Sequence, residues 1–281
     1  EVLKESSATT LMGLEKEMKQ VAEDITRVGD SISVSSGCQL FIRFLTKAFI
    51  DMPNFEECKR AMIERGELFL RNTVESRNFI AGLAVPFIPD GGNVLTIGWS
   101  RVVHTVLTAA AARNKRFNVV CTVSNPGSTG RITAERLRPH NIPVRLIEDS
   151  AVGHVMEEID IVLVGAEAVA ENGGVINKIG TYGASIVAKA YHKPFYVAAE
   201  SCKFSRLFPL SQKDIPMFAL RAAEYTKTVK TGFQRRASVD NVGSQKNAND
   251  YTPPSYITLL FTDMGVLTPS AIADELIKLY Y

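Results

Sequence analysis

No two of the four cysteines, Cys38, Cys58, Cys121 and Cys202, form a C-x-x-C pair, which excludes the usual zinc-ribbon and redox-dithiol spacings. Widely spaced, unpaired thiols fit a reduced, intracellular protein. Only four histidines occur, His104, His140, His154 and His192, at no metal-ligand spacing, so neither a metal nor a cofactor is expected. Charge of one sign is not in excess either. A net +2 over 281 residues makes no electrostatic case for nucleic acid or an anionic membrane as partner. No apolar run reaches the roughly 18 residues needed to cross a bilayer, no secretory signal is read at the start, and no repeat of solenoid period is found. The first residue is Glu1 rather than Met, so residues before it are expected to be missing. What is present is a 46% hydrophobic chain, long enough to bury a full core in one large or two modest domains.

The apolar positions organise the first third as helices. Leu11, Leu14, Met18, Val21, Ala22 and Ile25 recur at three and four, which predicts an amphipathic helix to about Arg27. A second helical pattern spans Gln39 to Ile50, and a third opens at Asn54, with Glu57 three residues on as a capping box, and runs towards Ala84. Arg60, Arg65, Arg71 and Arg77 lie among the polar positions of that third helix, either as a solvated face or within reach of an anion. Pro86, Pro89 and Gly91-Gly92 then break the pattern. A helical domain over 1–88 followed by an α/β domain over 89–281 is the expected division.

Beyond that break the chain alternates in type. Strand-like runs at Val94–Ile97, Val119–Val123, Val144–Ile147, Ile161–Val164, Phe195–Ala198 and Ile257–Leu260 are separated by helical patterns at about 101–114, 130–139, 150–157 and 182–191, with a last helix from Pro269 to about Leu279. Such alternation implies β-α-β units and a Rossmann-like, mainly parallel sheet. Leu259, Phe261 and Leu267 read as core or as dimer contacts, core being the safer reading. The polar stretch 234–250 reads as an exposed loop, in which Arg235-Arg236-Ala237-Ser238 matches a basic-directed kinase site of low specificity.

Three loops at strand exits are candidates for chemistry, because ligands collect at the carboxyl ends of parallel strands. In Gly98-Trp99-Ser100-Arg101, Ser100 is placed to cap a helix and Arg101 to meet an anion. Val102 stands where G-x-S-x-G requires its second glycine, so a serine hydrolase is excluded. The loop from Ser124 to Arg131 is Gly-rich but lacks the order of a P-loop. The third follows Ile161-Val162-Leu163-Val164-Gly165-Ala166-Glu167. Its Asn172-Gly173-Gly174 turn leads to Asn177 and Lys178 and then to Thr181, read as the cap of a helix. Glu167, Asn177 and Lys178 are expected to face one crevice, where a lysine beside a helix start suits a phosphate. A solvated glycine turn remains the alternative. Asp149 and Asp160 are read as helix caps, Asp263 as a pocket candidate, and Cys121 as a buried, inert thiol. The ligand-binding set is Ser100, Arg101, Glu167, Asn177 and Lys178, for a small phosphorylated and hydroxylated molecule.

Several of these stretches together resemble a known family. Ile63-Glu64-Arg65-Gly66-Glu67-Leu68-Phe69-Leu70-Arg71, Ser100-Arg101-Val102-Val103, Val164-Gly165-Ala166-Glu167 and the run Asn172 to Thr181 are similar to the alpha subunits of eukaryotic translation initiation factor 2B. Pro194-Phe195-Tyr196-Val197, Glu200-Ser201, Lys203-Phe204 and the run Phe261 to Ser270 extend the likeness over nearly the whole chain. Val123-Ser124-Asn125-Pro126 departs from it, since relatives carry an acidic residue, Ser and then Arg or Gln before the proline. The resemblance implies a cytoplasmic, non-catalytic, regulatory homodimer. It would assemble with the other subunits of the guanine nucleotide exchange factor for initiation factor 2, and help sense that factor's phosphorylated alpha subunit. The wider family includes methylthioribose-1-phosphate isomerase, which resembles this chain where it places a catalytic cysteine, at Gly98, and a catalytic aspartate, at Glu167. Glycine carries no proton, so acid-base isomerisation loses a partner. A sugar-phosphate aldose–ketose isomerase is therefore the alternative reading and not the leading one.

Overall fold

The computed structural model describes residues 2–29, 32–46, 54–125, 127–215 and 249–280. Ser238 and most of the expected polar loop lie outside these residues, as does the end of the second expected helix at Ile50. In chain order the elements are α1 (Val2–Glu5), α2 (Leu11–Gly29), α3 (Ile32–Thr46), α4 (Phe55–Ala84), β1 (Asn93–Ile97), α5 (Arg101–Ala112), β2 (Asn118–Thr122), α6 (Gly130–Leu137), β3 (Val144–Ile147), α7 (Val152–Val155), β4 (Ile161–Val164), β5 (Ala168–Ala170), β6 (Val175–Lys178), α8 (Thr181–Ala190), β7 (Phe195–Ala198), β8 (Phe204–Ser205), β9 (Asn249–Thr252), β10 (Leu259–Thr262), β11 (Gly265–Leu267) and α9 (Ile272–Tyr280).

The helical third forms where the three-and-four spacing places it, except that α3 starts at Ile32, seven residues before the run at Gln39 that marks it in sequence. Leu14 and Met18 of α2 meet Leu45 and Met62 in a small core. Phe41 and Phe44 of α3 stack on Phe69 of α4, ring centroids 5.3 and 5.9 Å apart. Asn54 caps α4, but its side chain accepts from the amide of Glu56, one residue earlier than a capping box requires. The carboxyl half of α4 reaches past this small core. Ile80, Ala81 and Ala84 share a larger core with Val102, Val106 and Leu163 of the α/β part.

The main sheet runs β11-β10-β7-β4-β1-β2-β3, parallel throughout except for the antiparallel edge strand β11. The mixed edge is a detail that the alternation of elements did not disclose. Both faces are covered. Leu95, Val120, Val162, Val164, Val197 and Leu260 enter one core and their chain neighbours Val94, Val119, Ile161, Leu163, Ala198 and Phe261 the other. Alternate side chains on a strand point to opposite faces, so runs of Val, Ile and Leu are what a twice-buried parallel strand demands. Phe261 is core, as the safer reading had it. From β1 the chain proceeds through β2 to β3 in one direction and from β4 through β7 to β10 in the other. The topological switch point therefore lies between β1 and β4.

Two local expectations are corrected. The stretch at 150–157 is not one helix but three short turns, 3-10 at Asp149–Ala151, α at Val152–Val155 and 3-10 again at Met156–Glu158. Gly153 and the β-branched valines lower helix propensity there. The supposed loop between Glu167 and the next helix is a hairpin: β5 and β6 pair antiparallel around Asn172-Gly173-Gly174, flanked by β8 and β9 in a second sheet of order β8-β5-β6-β9. Asn249 and Asp250, expected in the polar loop, are strand residues of that sheet.

Candidate functional site

Small residues pack closely at the switch point. Ser100 caps α5, its hydroxyl accepting from the Val103 amide at 3.4 Å. Gly165, leaving β4, lies against that hydroxyl so closely that a Cβ at 165 would overlap it. Gly98, leaving β1, has φ +58°, and a Cβ there would meet Thr129 Oγ1 and Ser124 Oγ at 2.5 and 2.9 Å. The place where the isomerase resemblance puts a cysteine is thus closed by backbone conformation and by two hydroxyls. Cys121 is no substitute. It is fully buried, its thiol directed at the Gly98 carbonyl at 3.5 Å, and burial pushes its pKa up to about 12. A thiol so far from ionisation is neither nucleophile nor proton shuttle at neutral pH.

Glu167 and Lys178 come together beside this point. The β5–β6 hairpin folds Lys178 back onto the exit of β4, where its Nζ lies 3.5 Å from Glu167 Oε1, and Ser33 of α3 donates to Glu167 Oε2 at 3.1 Å. Burial works to raise the Glu167 pKa, yet the charges of Lys178 and Lys203 and the hydrogen bonds from Ser33 and Lys178 outweigh it, and the carboxyl titrates below its ordinary range. Asn177 does not share this orientation. Consecutive strand residues face opposite ways, and its buried amide donates to Thr181 Oγ1 at 3.2 Å. Arg101 is exposed on the first turn of α5.

The start of α8 is already occupied by a carboxyl group of the chain's own. Gly180, not Thr181, is the cap residue, and the amides of Gly180 and Tyr182 donate to Asp250 Oδ2 at 2.7 and 3.0 Å. Thr181 instead donates to the Lys178 carbonyl. Amides and dipole at a helix start attract a carboxylate as readily as a phosphate. Burial raises Asp250 to about 7 against the pull of those amides. The phosphate expected at this helix start is replaced by Asp250, which joins β9 to α8.

The other acidic candidates are structural ties. Asp149 caps no helix; its two oxygens accept from the amides of Ser124 and Asn125 at 2.8 and 2.7 Å and hold the loop after β2. Asp160 likewise accepts from the Asn93 amide. Asp263 accepts from the amide and hydroxyl of Ser201, both at 2.6 Å. A further charged group has no counterpart in the expected set. Glu200, 3% exposed at the exit of β7, pairs with Arg77 of α4 at 2.9 Å and Lys203 at 3.0 Å. Burial alone would raise its pKa, but those two cations carry it down to about 2. Lys203 also donates to the Ala166 carbonyl at 2.8 Å, so it bridges the exits of β7 and β4. Its signal in sequence was a charged cluster, Glu200 to Lys203, directly after a predicted strand.

No helix among the described residues is long and apolar enough to cross a membrane. A family model described as the initiation factor 2 subunit family matches residues 1–269. The chain is 48% identical over 293 residues to a Dictyostelium discoideum protein named translation initiation factor eIF2B subunit alpha, covering 100% of this chain and 88% of that one. It is 38% identical over 287 residues to the Caenorhabditis elegans protein of the same name, covering 100% and 90%. Against a ribose 1,5-bisphosphate isomerase of Methanocaldococcus jannaschii the identity is 32% over 228 residues, covering 81% and 71%. Among solved structures, one titled as translation initiation factor eIF-2B from Pyrococcus horikoshii OT3 superposes with a TM-score of 0.73 at 27% identity, covering 95% and 86%. The tetrameric eIF2B beta2-delta2 complex from C. thermophilum contains a chain with TM-score 0.77 at 18% identity, covering 99% and 84%, a likeness of fold alone. Matched over residues 1–269 by the family model and over its whole length by relatives at 48% and 38% identity, the chain belongs to the initiation factor 2 subunit family.

Proposed function

We propose that the chain is a regulatory, non-catalytic subunit of the exchange factor for initiation factor 2. It assembles with the other subunits of initiation factor 2B and with a second copy of itself. In that assembly it helps sense the phosphorylated alpha subunit of initiation factor 2 in the stress response. Names carried by the relatives at 48% and 38% identity support the subunit role. Four free cysteines fit a cytoplasmic setting. The crevice carries the rest of the reading: it keeps a cation, Lys178, beside a carboxylate, Glu167, while Gly98 leaves no group for proton transfer. Such a pair holds a small sugar phosphate or nucleotide monophosphate, phosphate on Lys178 and hydroxyl on Glu167, without transforming it. Ser100, at the switch point, Arg101, exposed on α5, and Asn177, whose buried amide supports the site from behind through Thr181, complete the proposed set. Removing the charge in Lys178→Ala is expected to weaken binding of adenosine 5′-monophosphate at least tenfold by calorimetry, the scale of a lost charged contact; unchanged binding would remove Lys178 from the site.

The relative named ribose 1,5-bisphosphate isomerase motivates one alternative, a working aldose–ketose isomerase. It requires Cys121 to replace the missing cysteine, and turnover lost in Cys121→Ala would support it. The buried thiol, at about 12, argues that no turnover is there to lose.

A further inference from the structure

Glu167 is held from two layers of the molecule. Lys178, on β6 of the small sheet, approaches one oxygen, and Ser33, on α3 of the helical layer, donates to the other. The 3.5 Å separation of Lys178 and Glu167 exceeds those of Lys203–Glu200 at 3.0 Å and Lys4–Glu67 at 2.9 Å. An ammonium carries three N–H donors, so with one directed at Glu167 Oε1 the lysine keeps donor capacity for another anion, while the bond from Ser33 fixes the carboxylate beside it. The helix carrying Ser33 is seated independently of this contact. Leu40 of α3 is buried in the core of the main sheet, and Gly37 packs against the backbone of Cys202, within the turn that holds Glu200 and Lys203.

We propose that Ser33 is a positioning residue of the ligand site: by anchoring Glu167 it fixes the carboxylate beside Lys178, where the pair can take a phosphate monoester and its hydroxyl, and so couples ligand binding to the docking of α3 on the α/β layer. This rests on the reading above that the Glu167–Lys178 crevice binds such a ligand. Coupling of two equilibria is reciprocal, so a ligand that needs α3 in place must in turn steady α3. A partner protein that shifts the helical layer would then change ligand affinity with no contact to the crevice.

The experiment uses the full chain, with adenosine 5′-monophosphate and ribose 1,5-bisphosphate as probes in parallel. Affinity is measured by calorimetry for wild type, Ser33→Ala and Ser33→Thr, and amide hydrogen exchange over 32–46 is followed with and without probe. The expected result is a loss of about tenfold in Ser33→Ala, the scale of one hydrogen bond to a charged group, with affinity kept in Ser33→Thr, whose hydroxyl remains. Exchange in α3 of the wild type is expected to slow when probe binds. Which probe binds distinguishes a nucleotide from a sugar bisphosphate. Probe bound by folded Ser33→Ala as tightly as by wild type, or α3 exchange unchanged by a bound probe, overturns the inference while leaving the ligand site standing. If Ser33→Ala fails to fold, the wild-type exchange measurement decides alone. Neither probe binding to wild type rejects the ligand reading itself, and the role of Ser33 falls with it.

Discussion

Gly98 and Asp250 show how single positions decide what the crevice can do. At φ +58°, with hydroxyls of Thr129 and Ser124 where a side chain would go, position 98 accepts only glycine without adjustment. Gly98→Cys is therefore expected to destabilise the fold by about 2–4 kcal/mol, from left-handed backbone strain and overpacking, and to give no isomerase activity; urea unfolding with a turnover assay checks both. Asp250 makes a pH prediction. Its folded pKa of about 7 lies above the ordinary 3.8, so the folded state binds the proton more tightly than the unfolded one. Its favourable contribution is whole below about pH 4 and is lost as pH rises towards 7. Glu200 runs the other way. Held at about 2 against an ordinary 4.5, it contributes above pH 4.5 and fails as pH falls towards 2. Wild type is expected to lose stability relative to Asp250→Asn between pH 5 and 7, as read by urea midpoints; parallel pH dependence in the two proteins would contradict this.

Among the elements, α4 does the most to join the parts of the molecule. Its first half packs with α2 and α3 around Met62, its last turns share the core of the main sheet, and in its last third Arg77 reaches the buried Glu200. Arg77→Ala would leave a buried carboxylate with one cation instead of two, and a loss of about 1–3 kcal/mol in urea unfolding is expected, the scale of a lost hydrogen bond to a charged group; a loss under 1 kcal/mol would show that Lys203 alone suffices. Most elements of the main sheet were legible because β1, β2, β3 and β4 are local runs rich in Val, Ile and Leu and most helices carry a local period; the edge strand β11 and the three short turns after β3 were not. The second sheet was not. Its strands are two to four residues long, β8 to β9 spans positions 204 to 252, and Asp250 caps a helix that begins 69 residues before it. Pairings of that separation leave no period to detect. The same holds for the site: Glu167 and Lys178 were readable as a strand exit and its following loop, whereas Ser33 meets Glu167 across 134 positions. Asn177 was misjudged in orientation only because its loop proved to be a strand.

Across the whole molecule, helical and α/β layers meet at the carboxyl ends of the strands, where Ser33 touches Glu167 and Arg77 touches Glu200. A regulatory subunit needs such a junction, because a signal received on one layer must alter the other. Gly98, closed to a side chain, and the Lys178–Glu167 pair lie at this junction, where the proposed ligand would sit. The most direct test of this account is nucleotide release from initiation factor 2, catalysed by the remaining exchange-factor subunits with and without this chain, on unphosphorylated and phosphorylated substrate. Adding the chain is expected to make exchange sensitive to phosphorylated substrate. A chain that fails to join the complex, or joins it and leaves exchange equally fast on both substrates, would contradict it.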